Sequence, residues 1–352
     1  MLCYIHIPYC DSKCHYCSFN SYTDKFDTRK LYMSSLYQQL IFEIERFNVK
    51  ENSIDTLFIG GGTPSTIMPN LYKPIFELLS PYLKDGAEIT TEANPNSATK
   101  EWLLGMKNLG MNRISFGVQS FNENKLKYLN RAHSPEQAEE AIKNARSLGF
   151  EHISLDLIYN YQGDTEELLI DDINRAFTLP IDHISAYELT IEPKTKFYNT
   201  PEVKQEDDDL AIFVSNEIIK RGFTQYEISN FGIYQSRHNK GYWKLQNYIG
   251  AGAGAVGFLE DRRYYPETDI DKYIKNPLDI REEILTKDEI LTEKIFLGLR
   301  SNIGIEQNLL DIKMQENADF LVQEKKLEFK NNRYINVDFF LADEVALFIL
   351  KD

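Results

Sequence analysis

Three of the four cysteines in this 352-residue chain lie within eight consecutive positions, at Cys10, Cys14 and Cys17. Three neighbouring thiols cannot all be used up by disulfides with one another, and crosslinks that close such short loops would remove little chain entropy. Three thiolates in one loop can bind a metal centre at a small cost in loop-closure entropy. The spacing therefore predicts a metal site close to the start of the fold.

The number of ligands in this loop bears on the identity of the metal. A structural zinc site uses a closed set of four ligands, and the chain has no second pair of closely spaced cysteines. His15 lies between two of the cysteines and would have to fold back to complete a zinc site, and Cys3 lies in an apolar run typical of a strand. Three thiolates suit a 4Fe–4S cluster whose fourth iron stays open to a substrate or cofactor. The sequence thus favours an iron–sulfur cluster over zinc, with purely structural thiols as a further alternative.

The overall charge limits the classes of partner. A formal net charge of −15 disfavours a general binder of nucleic acid or of anionic membranes, but not docking to one specific protein. The sequence has no 18-residue apolar run that would span a membrane, and its first residues lack the basic and apolar segments of a signal peptide. With clustered reduced thiols, these features lead us to expect a cytoplasmic protein that contacts membranes at most peripherally. The sequence does not distinguish a monomer from a dimer.

Six short runs rich in β-branched and apolar residues alternate with segments that have apolar residues at helical spacing. The predicted strands cover residues 3–9, 53–60, 88–93, 113–119, 152–159 and 183–190. The predicted helices cover residues 30–47, 71–83, 100–109, 135–148 and 165–177. This alternation predicts an α/β fold, in which a parallel sheet curls into a partial, TIM-like (β/α)6 barrel. In such a barrel the functional residues lie at the carboxyl ends of the strands.

We expect three regions along the chain. Residues 1–230 form the partial barrel, residues 231–285 form a glycine-rich connecting region, and residues 286–352 form a small α+β domain of winged-helix-like character. The last region is predicted to contain helices at 290–299 and 308–315, a hairpin that turns at Asn331-Asn332, and a short final helix to Leu350. Because the chain is strongly acidic, we interpret this region as a lid or docking module and not as a DNA-binding domain.

A glycine triplet, Gly60, Gly61 and Gly62, follows the second predicted strand and precedes Thr63. Glycines allow the backbone to approach a ligand closely, and we expect this segment to expose its N–H groups. A glycine-rich turn without a ligand would have the same sequence. The position at the carboxyl end of a strand favours the functional interpretation.

Polar residues also mark the later strands. Glu92 ends the third predicted strand and Asp156 lies inside the fifth, where a carboxylate is costly unless it is paired. Each therefore either makes a salt bridge or receives a ligand. Gln119 ends the fourth strand, and Arg131, in the segment that follows, is a possible ion-pair partner of Asp156. One binding site would account for all of these buried polar groups together.

The CxxxCxxC spacing resembles the signature of the radical S-adenosylmethionine (SAM) superfamily. The flanking segments 4–10 and 14–19 resemble its oxygen-independent coproporphyrinogen oxidase family. The resemblance implies that Cys10, Cys14 and Cys17 hold a 4Fe–4S cluster whose open iron is chelated by SAM. The positions that match SAM contacts of the family are Tyr4, Gly61, Gly62, Thr63, Glu92, Gln119, Arg131 and Asp156. The loop after Asp156 departs from the family, since Asn160 stands where relatives have glycine, and asparagine can adopt the same left-handed conformation.

His238, Asn239, Tyr242 and Trp243 form an HNxxYW motif. Such a group is either a packed aromatic corner with a hydrogen-bonded histidine or a heme site, since imidazole binds heme iron. The motif resembles the one proposed to bind heme in the HemW-type heme chaperones of this family. The glycine-rich stretch 248–257 also resembles the family, although Val256 stands where relatives usually have histidine.

The resemblance leaves several functions open. A true oxidase would decarboxylate two propionates of coproporphyrinogen III, a heme chaperone would deliver heme to respiratory hemoproteins at the membrane, and an iron–sulfur binding module would not cleave SAM at all. The oxidases have a long segment before the cluster and a fourth cysteine, where this chain reaches Cys10 at once and has Phe19. We therefore expect a heme chaperone that binds heme, a 4Fe–4S cluster and SAM, delivers heme to a recipient hemoprotein, and has no nucleic-acid partner.

Overall fold

A computed structural model describes residues 1–351 of the chain. Its centre is a sheet of six parallel strands that are hydrogen-bonded in sequence order. These strands are β1 (Leu2–Ile7), β2 (Ile54–Gly61), β3 (Leu83–Ala93), β4 (Arg113–Gln119), β5 (His152–Tyr159) and β6 (His183–Glu188). The sheet stays open between β1 and β6 in the described residues, so the prediction of a partial α/β barrel is confirmed.

Six helices connect these strands and cover the outer face of the sheet. They are α1 (Arg29–Arg46), α2 (Pro69–Leu79), α3 (Lys100–Asn108), α4 (Glu123–Tyr128), α5 (Pro135–Ser147) and α6 (Glu166–Phe177). In α1, Met33, Leu36 and Leu40 are buried, whereas Leu31 is exposed. Two residues from Met33, Leu31 lies on nearly the opposite side of the helix. No helix within residues 1–351 is both long enough and apolar enough to cross a membrane.

Both edges of the sheet are extended by short strands that the sequence did not predict. After α7 (Asp208–Lys220), β7 (Thr224–Gln225) and β8 (Asn230–Gly232) join β6 in antiparallel pairing. At the other edge, β9 (Tyr248–Ala251) is parallel to β1 and is followed outward by β10 (Gly257–Leu259), β11 (Arg262–Pro266) and β12 (Ile280–Ile284). The helices α8 (Arg237–Trp243) and α9 (Ile270–Lys275) lie between these strands in the chain. Strands of two to five residues are too short for a periodic sequence pattern.

The C-terminal part has its own three-stranded sheet and its own apolar core. Its elements are α10 (Lys287–Leu299), β13 (Ile305–Glu306), α11 (Ile312–Gln323), β14 (Leu327–Lys330), β15 (Arg333–Asn336) and α12 (Ala342–Ile349). The hairpin turns at Asn331 and Asn332, which have φ angles of 52° and 59°, as expected for a tight turn. The bounds predicted for the helix at 308–315 are wrong, because the Asp311 side chain accepts a hydrogen bond from the Met314 N–H and so starts the helix at Ile312. The three proposed region boundaries stay predictions.

Candidate functional site

The three clustered cysteines lie in the loop between β1 and α1. Cys10 is buried, and Cys14 and Cys17 are half-buried. Two side chains donate hydrogen bonds to their sulfur atoms: Thr63 Oγ1 to Cys10 Sγ at 3.4 Å, and Arg131 Nη1 to Cys14 Sγ at 3.2 Å. Such donors stabilise the thiolate, which is the form that binds metals. This donor set fits an iron–sulfur cluster.

The side chains that would complete a zinc site are engaged elsewhere. His15 Nδ1 lies 2.9 Å from the carbonyl oxygen of Tyr128, and its Nε2 lies 3.1 Å from Lys196 Nζ. Cys3 is buried in β1, where burial and the charge of Glu43 raise its pKa to about 12. Within residues 1–351, no three His, Cys, Asp or Glu side chains are arranged about a single ion. A cluster does not need such an arrangement, since each thiolate binds a different iron.

The glycine segment at the end of β2 is packed tightly against the protein. The Gly61 N–H donates to Glu92 Oε2 at 3.0 Å, and the Gly62 N–H donates to the carbonyl oxygen of Ile7 at 2.8 Å. The expectation that this segment exposes its N–H groups is therefore wrong. At Gly61, which has φ +108°, a Cβ atom would lie 2.3 Å from the His6 ring. Only glycine fits there, whether or not a ligand binds.

Glu92 and Asp156 point into the barrel from β3 and β5. Burial and the charge of Asp156 raise the pKa of Glu92 to about 7, and burial raises the pKa of Asp156 to about 6. Both residues are half-buried, so they border a space that water can reach. Asp156 accepts a hydrogen bond from Ser115 Oγ at 3.3 Å, whereas the Arg131 guanidinium donates to Asn94, Gly117 and Cys14. The charge of Arg113 acts on both acids, but neither forms an ion pair in the described residues, so both are suited to accept hydrogen bonds from ligand hydroxyl or ammonium groups.

Arg131 lies at the mouth of the barrel, where its guanidinium bonds groups other than Asp156. Its Nη2 donates to Asn94 Oδ1 at 2.7 Å and to the carbonyl oxygen of Gly117 at 2.5 Å. Gln119 ends β4 with a φ of +70°, after an irregularity in the pairing with β5. A Cβ atom on Gly117 would lie 3.0 Å from both Arg131 Nη2 and Gln119 Nε2. The structure therefore brings Gln119 and Arg131 together.

Tyr4 joins the same region from β1. Its hydroxyl lies 3.0 Å from His6 Nδ1, and burial and the charge of Glu92 raise its pKa. A cavity of about 360 Å³ opens beside Tyr4 and the cysteine loop. Phe19, which is 63% exposed, lines it from the loop, and Tyr242 and Val256 line it as well. A cavity lined in part by aromatic side chains thus lies next to the residues that follow Cys17.

His238 lies in α8 and is closed off from solvent. Its side chain is 1% exposed, its Nδ1 lies 2.7 Å from Thr56 Oγ1, and its ring stacks on Phe58 with centroids 5.0 Å apart. Burial lowers its pKa to about 3, so the ring is neutral, and its Nε2 has no hydrogen-bond partner. A neutral imidazole with a free nitrogen fits an iron ligand. The expected docking of heme against His238 nevertheless requires α8 to move, because no open surface reaches this ring.

The other residues of the HNxxYW motif do not form one surface with His238. Tyr242 packs edge-on against it, with centroids 4.7 Å apart, and faces the cavity. The Trp243 indole N–H is buried without a partner, and the Asn239 backbone N–H donates to Ser236 Oγ at the start of α8. Of the motif, only Tyr242 lines the cavity beside the cysteine loop.

The sequence analysis did not identify two residues that lie near these sites. Asn94, in the segment after β3, binds Arg131 through its Oδ1 and Thr63 through its Nδ2. Glu88, in β3, accepts hydrogen bonds from the backbone N–H groups of Arg237 and His238 at 2.8 and 3.0 Å and so holds α8 against the sheet. The signal for Glu88 was an acid at the start of an apolar strand, and for Asn94 its position at a strand end.

The fold and the cysteine loop define a protein of the radical SAM class. The sequence model of the radical SAM superfamily matches residues 4–176. The structure is similar to coproporphyrinogen III oxidase (HemN) from Escherichia coli, described as a radical SAM enzyme, with a TM-score of 0.81 over 99% of this chain and 89% of that chain. At 19% identity this similarity shows the fold. Membership of the superfamily implies a 4Fe–4S cluster and SAM as cofactors.

Sequence comparison places the chain more narrowly. It is 34% identical over 336 residues to the heme chaperone HemW of Bacillus subtilis (strain 168), which covers 90% of this chain and 88% of the relative. It is 39% identical over 263 residues to the heme chaperone HemW of Escherichia coli (strain K12), which covers 72% and 69%. The chain belongs to the HemW family.

Proposed function

We propose that this protein is a heme chaperone that binds heme, a 4Fe–4S cluster and SAM. The observation that carries the proposal is the similarity to relatives named heme chaperones over 90% of the chain. Phe19 adds support, because the oxidases that the chain resembles have a fourth cysteine at this position. In this chain that position contributes an exposed aromatic ring to the cavity.

The cluster and SAM are proposed to lie at the carboxyl end of the barrel. Cys10, Cys14 and Cys17 would hold the cluster, and together the two cofactors supply one-electron chemistry when bound. Glu92 and Asp156 would accept hydrogen bonds from SAM, since neither has a basic partner in an ion pair. The residues proposed for the SAM site are Tyr4, Gly61, Gly62, Thr63, Glu92, Gln119, Arg131 and Asp156.

Heme is proposed to enter through the cavity beside the cysteine loop, where Tyr242 offers an aromatic face. His238 is the proposed iron ligand, because its Nε2 is free, and α8 with Asn239 and Trp243 would move to admit the porphyrin. The C-terminal region, 286–352, is the proposed docking module for a recipient respiratory hemoprotein at the membrane. Four free cysteines suit a reducing compartment, which favours the cytoplasm.

The experiment that tests the function uses anaerobically reconstituted protein with two substrates in parallel. Coproporphyrinogen III with SAM and dithionite is followed by chromatography, and heme is titrated by absorbance. We expect saturable heme binding and no protoporphyrinogen above a control without SAM. Product formation would make the protein an oxidase, and a lack of saturable heme binding would reduce it to an iron–sulfur module. A Cys14→Ser variant serves as the matched control without an intact cluster site.

A further inference from the structure

Asn94 connects the donors that reach two of the cysteine sulfurs. Thr63 Oγ1 lies 3.4 Å from Cys10 Sγ, and Arg131 Nη1 lies 3.2 Å from Cys14 Sγ. The Asn94 side chain lies between these donors, with its Nδ2 3.1 Å from Thr63 Oγ1 and its Oδ1 2.7 Å from Arg131 Nη2. One amide thus touches the two side chains that contact the sulfurs from the barrel side.

The hydrogen-bond directions in this network are determined by chemistry. A guanidinium has only donors, so the Asn94 oxygen must face Arg131 and the Asn94 NH2 must face Thr63. The Thr63 hydroxyl consequently accepts from Asn94, and its single proton is left to point at Cys10 Sγ. Thr63 is 1% exposed, so water does not compete for this proton. Asn94 therefore orients the hydroxyl toward the sulfur.

The same amide holds Arg131 in place. Arg131 Nη2 is shared between Asn94 Oδ1 and the carbonyl oxygen of Gly117, which leaves Nη1 directed at Cys14. Asn94 is itself anchored, because its backbone N–H donates to Ser65 Oγ at 3.2 Å and its carbonyl oxygen accepts from the backbone of residues 97 and 98. A side chain on such a rigid support can set the orientation of its partners.

We propose that Asn94 is a positioning residue that aims Thr63 and Arg131 at the sulfurs of Cys10 and Cys14 and thereby raises the reduction potential of the cluster. The inference rests on the proposed function, in which these cysteines hold a 4Fe–4S cluster. Reduction adds an electron to the cluster and makes its sulfurs more negative, and hydrogen bonds to the sulfurs then stabilise the reduced form. Removing a donor shifts the equilibrium toward the oxidised cluster.

The test is a redox titration of the reconstituted full-length protein, read by electron paramagnetic resonance. Thr63→Val removes the hydroxyl, and we expect the reduction equilibrium constant to fall about tenfold, which is about 59 mV for a one-electron couple. Thr63→Ser keeps the hydroxyl and should restore the potential. Asn94→Asp should lower the potential as well, because a carboxylate accepts the Thr63 proton and turns it away from Cys10.

Asn96→Asp is the matched control for added charge, since Asn96 lies two residues away and bonds Asp11, not Thr63. A larger decrease in potential for Asn94→Asp than for Asn96→Asp is the expected result. Equal potentials for wild type, Thr63→Val and Asn94→Asp, with equal iron contents, would overturn the inference. If Thr63→Val loses its iron while Thr63→Ser keeps it, the potentials of Asn94→Asp and Asn96→Asp decide the inference, and equal potentials of these two variants would overturn it. Wild-type protein that binds no iron would instead overturn the proposed function, and the inference with it.

Discussion

The substitution Glu92→Gln is expected to make the stability of the ligand-free protein less sensitive to pH. In the folded protein, burial and the charge of Asp156 raise the pKa of Glu92 from 4.5 to about 7. The folded state therefore holds this proton more tightly than the unfolded state. The resulting stabilisation is fully present below about pH 4.5 and is lost as the pH rises to about 7.

The magnitude follows from the two pKa values. Their difference, 7 − 4.5, is about 2.5, and about 1.4 kcal/mol for each pH unit gives about 3 kcal/mol in the free energy of unfolding. Water reaches the half-buried side chain, so this value is an upper bound. Between pH 5.5 and pH 8, the part that titrates corresponds to at most about 2 kcal/mol. A glutamine side chain does not titrate in this range, so the variant lacks this pH-dependent part of the free energy of unfolding.

The assay is guanidinium unfolding of iron-free protein, followed by circular dichroism at pH 5.5 and pH 8. From pH 5.5 to pH 8, the free energy of unfolding of the wild type should fall by up to about 2 kcal/mol more than that of Glu92→Gln. Glu51→Gln, the same change at an exposed residue, is the control and should follow wild type. Wild type and Glu92→Gln curves that stay parallel across this pH range would refute the assigned pKa. In a SAM-binding assay Glu92→Gln should bind more weakly, because the amide removes an anionic acceptor.

Three further predictions test the cluster, the heme ligand and a buried ion pair. A triple alanine variant of Cys10, Cys14 and Cys17 should lose the visible absorbance of the reconstituted cluster, whereas Cys3→Ala should keep it. Full absorbance in the triple variant would contradict the ligand assignment. His238→Ala should weaken heme binding in an absorbance titration, while His133→Ala, a buried histidine that also has an unpartnered nitrogen, should bind like wild type; unchanged affinity in His238→Ala removes the ligand role. Lys125→Ala should lower the free energy of unfolding by about 3–5 kcal/mol, because it leaves the Asp164 carboxylate, 2.6 Å away, buried without its partner. The exposed Lys127→Ala in the same helix should change it by less than about 0.5 kcal/mol in the same denaturant assay, and equal effects of the two would refute the argument.

The barrel could be predicted from the sequence because its strands are continuous apolar runs and its helices have a regular apolar face. Ile5, Ile59 and Ile114, for example, are fully buried in β1, β2 and β4. The edge strands could not be predicted in this way. Residues 280–284 contain more charged than apolar side chains, and they form β12 only because β11 provides a partner for their backbone groups.

The site could be predicted to the level of which residues lie at the strand ends, but not of which atoms they contact. Asp156 was expected to pair either with a ligand or with Arg131. The Arg131 guanidinium instead bonds Asn94 and Cys14, which come from other parts of the chain. The left-handed conformation of Asn160, with φ +63°, was predicted because it depends on a single residue and its glycine-like position.

The position of α8 connects the proposed heme ligand with the cysteine loop. The His238 ring stacks on Phe58, whose ring lies 6.2 Å from that of Tyr4. The Tyr4 hydroxyl contacts His6, and His6 Nε2 lies 2.8 Å from the carbonyl oxygen of Asn20, just after the last clustered cysteine. These contacts form an unbroken series of packed rings and hydrogen bonds. A displacement of α8 large enough to expose His238 would remove the ring that supports Phe58, so the heme entry that we propose would also change the packing beneath the cysteine loop.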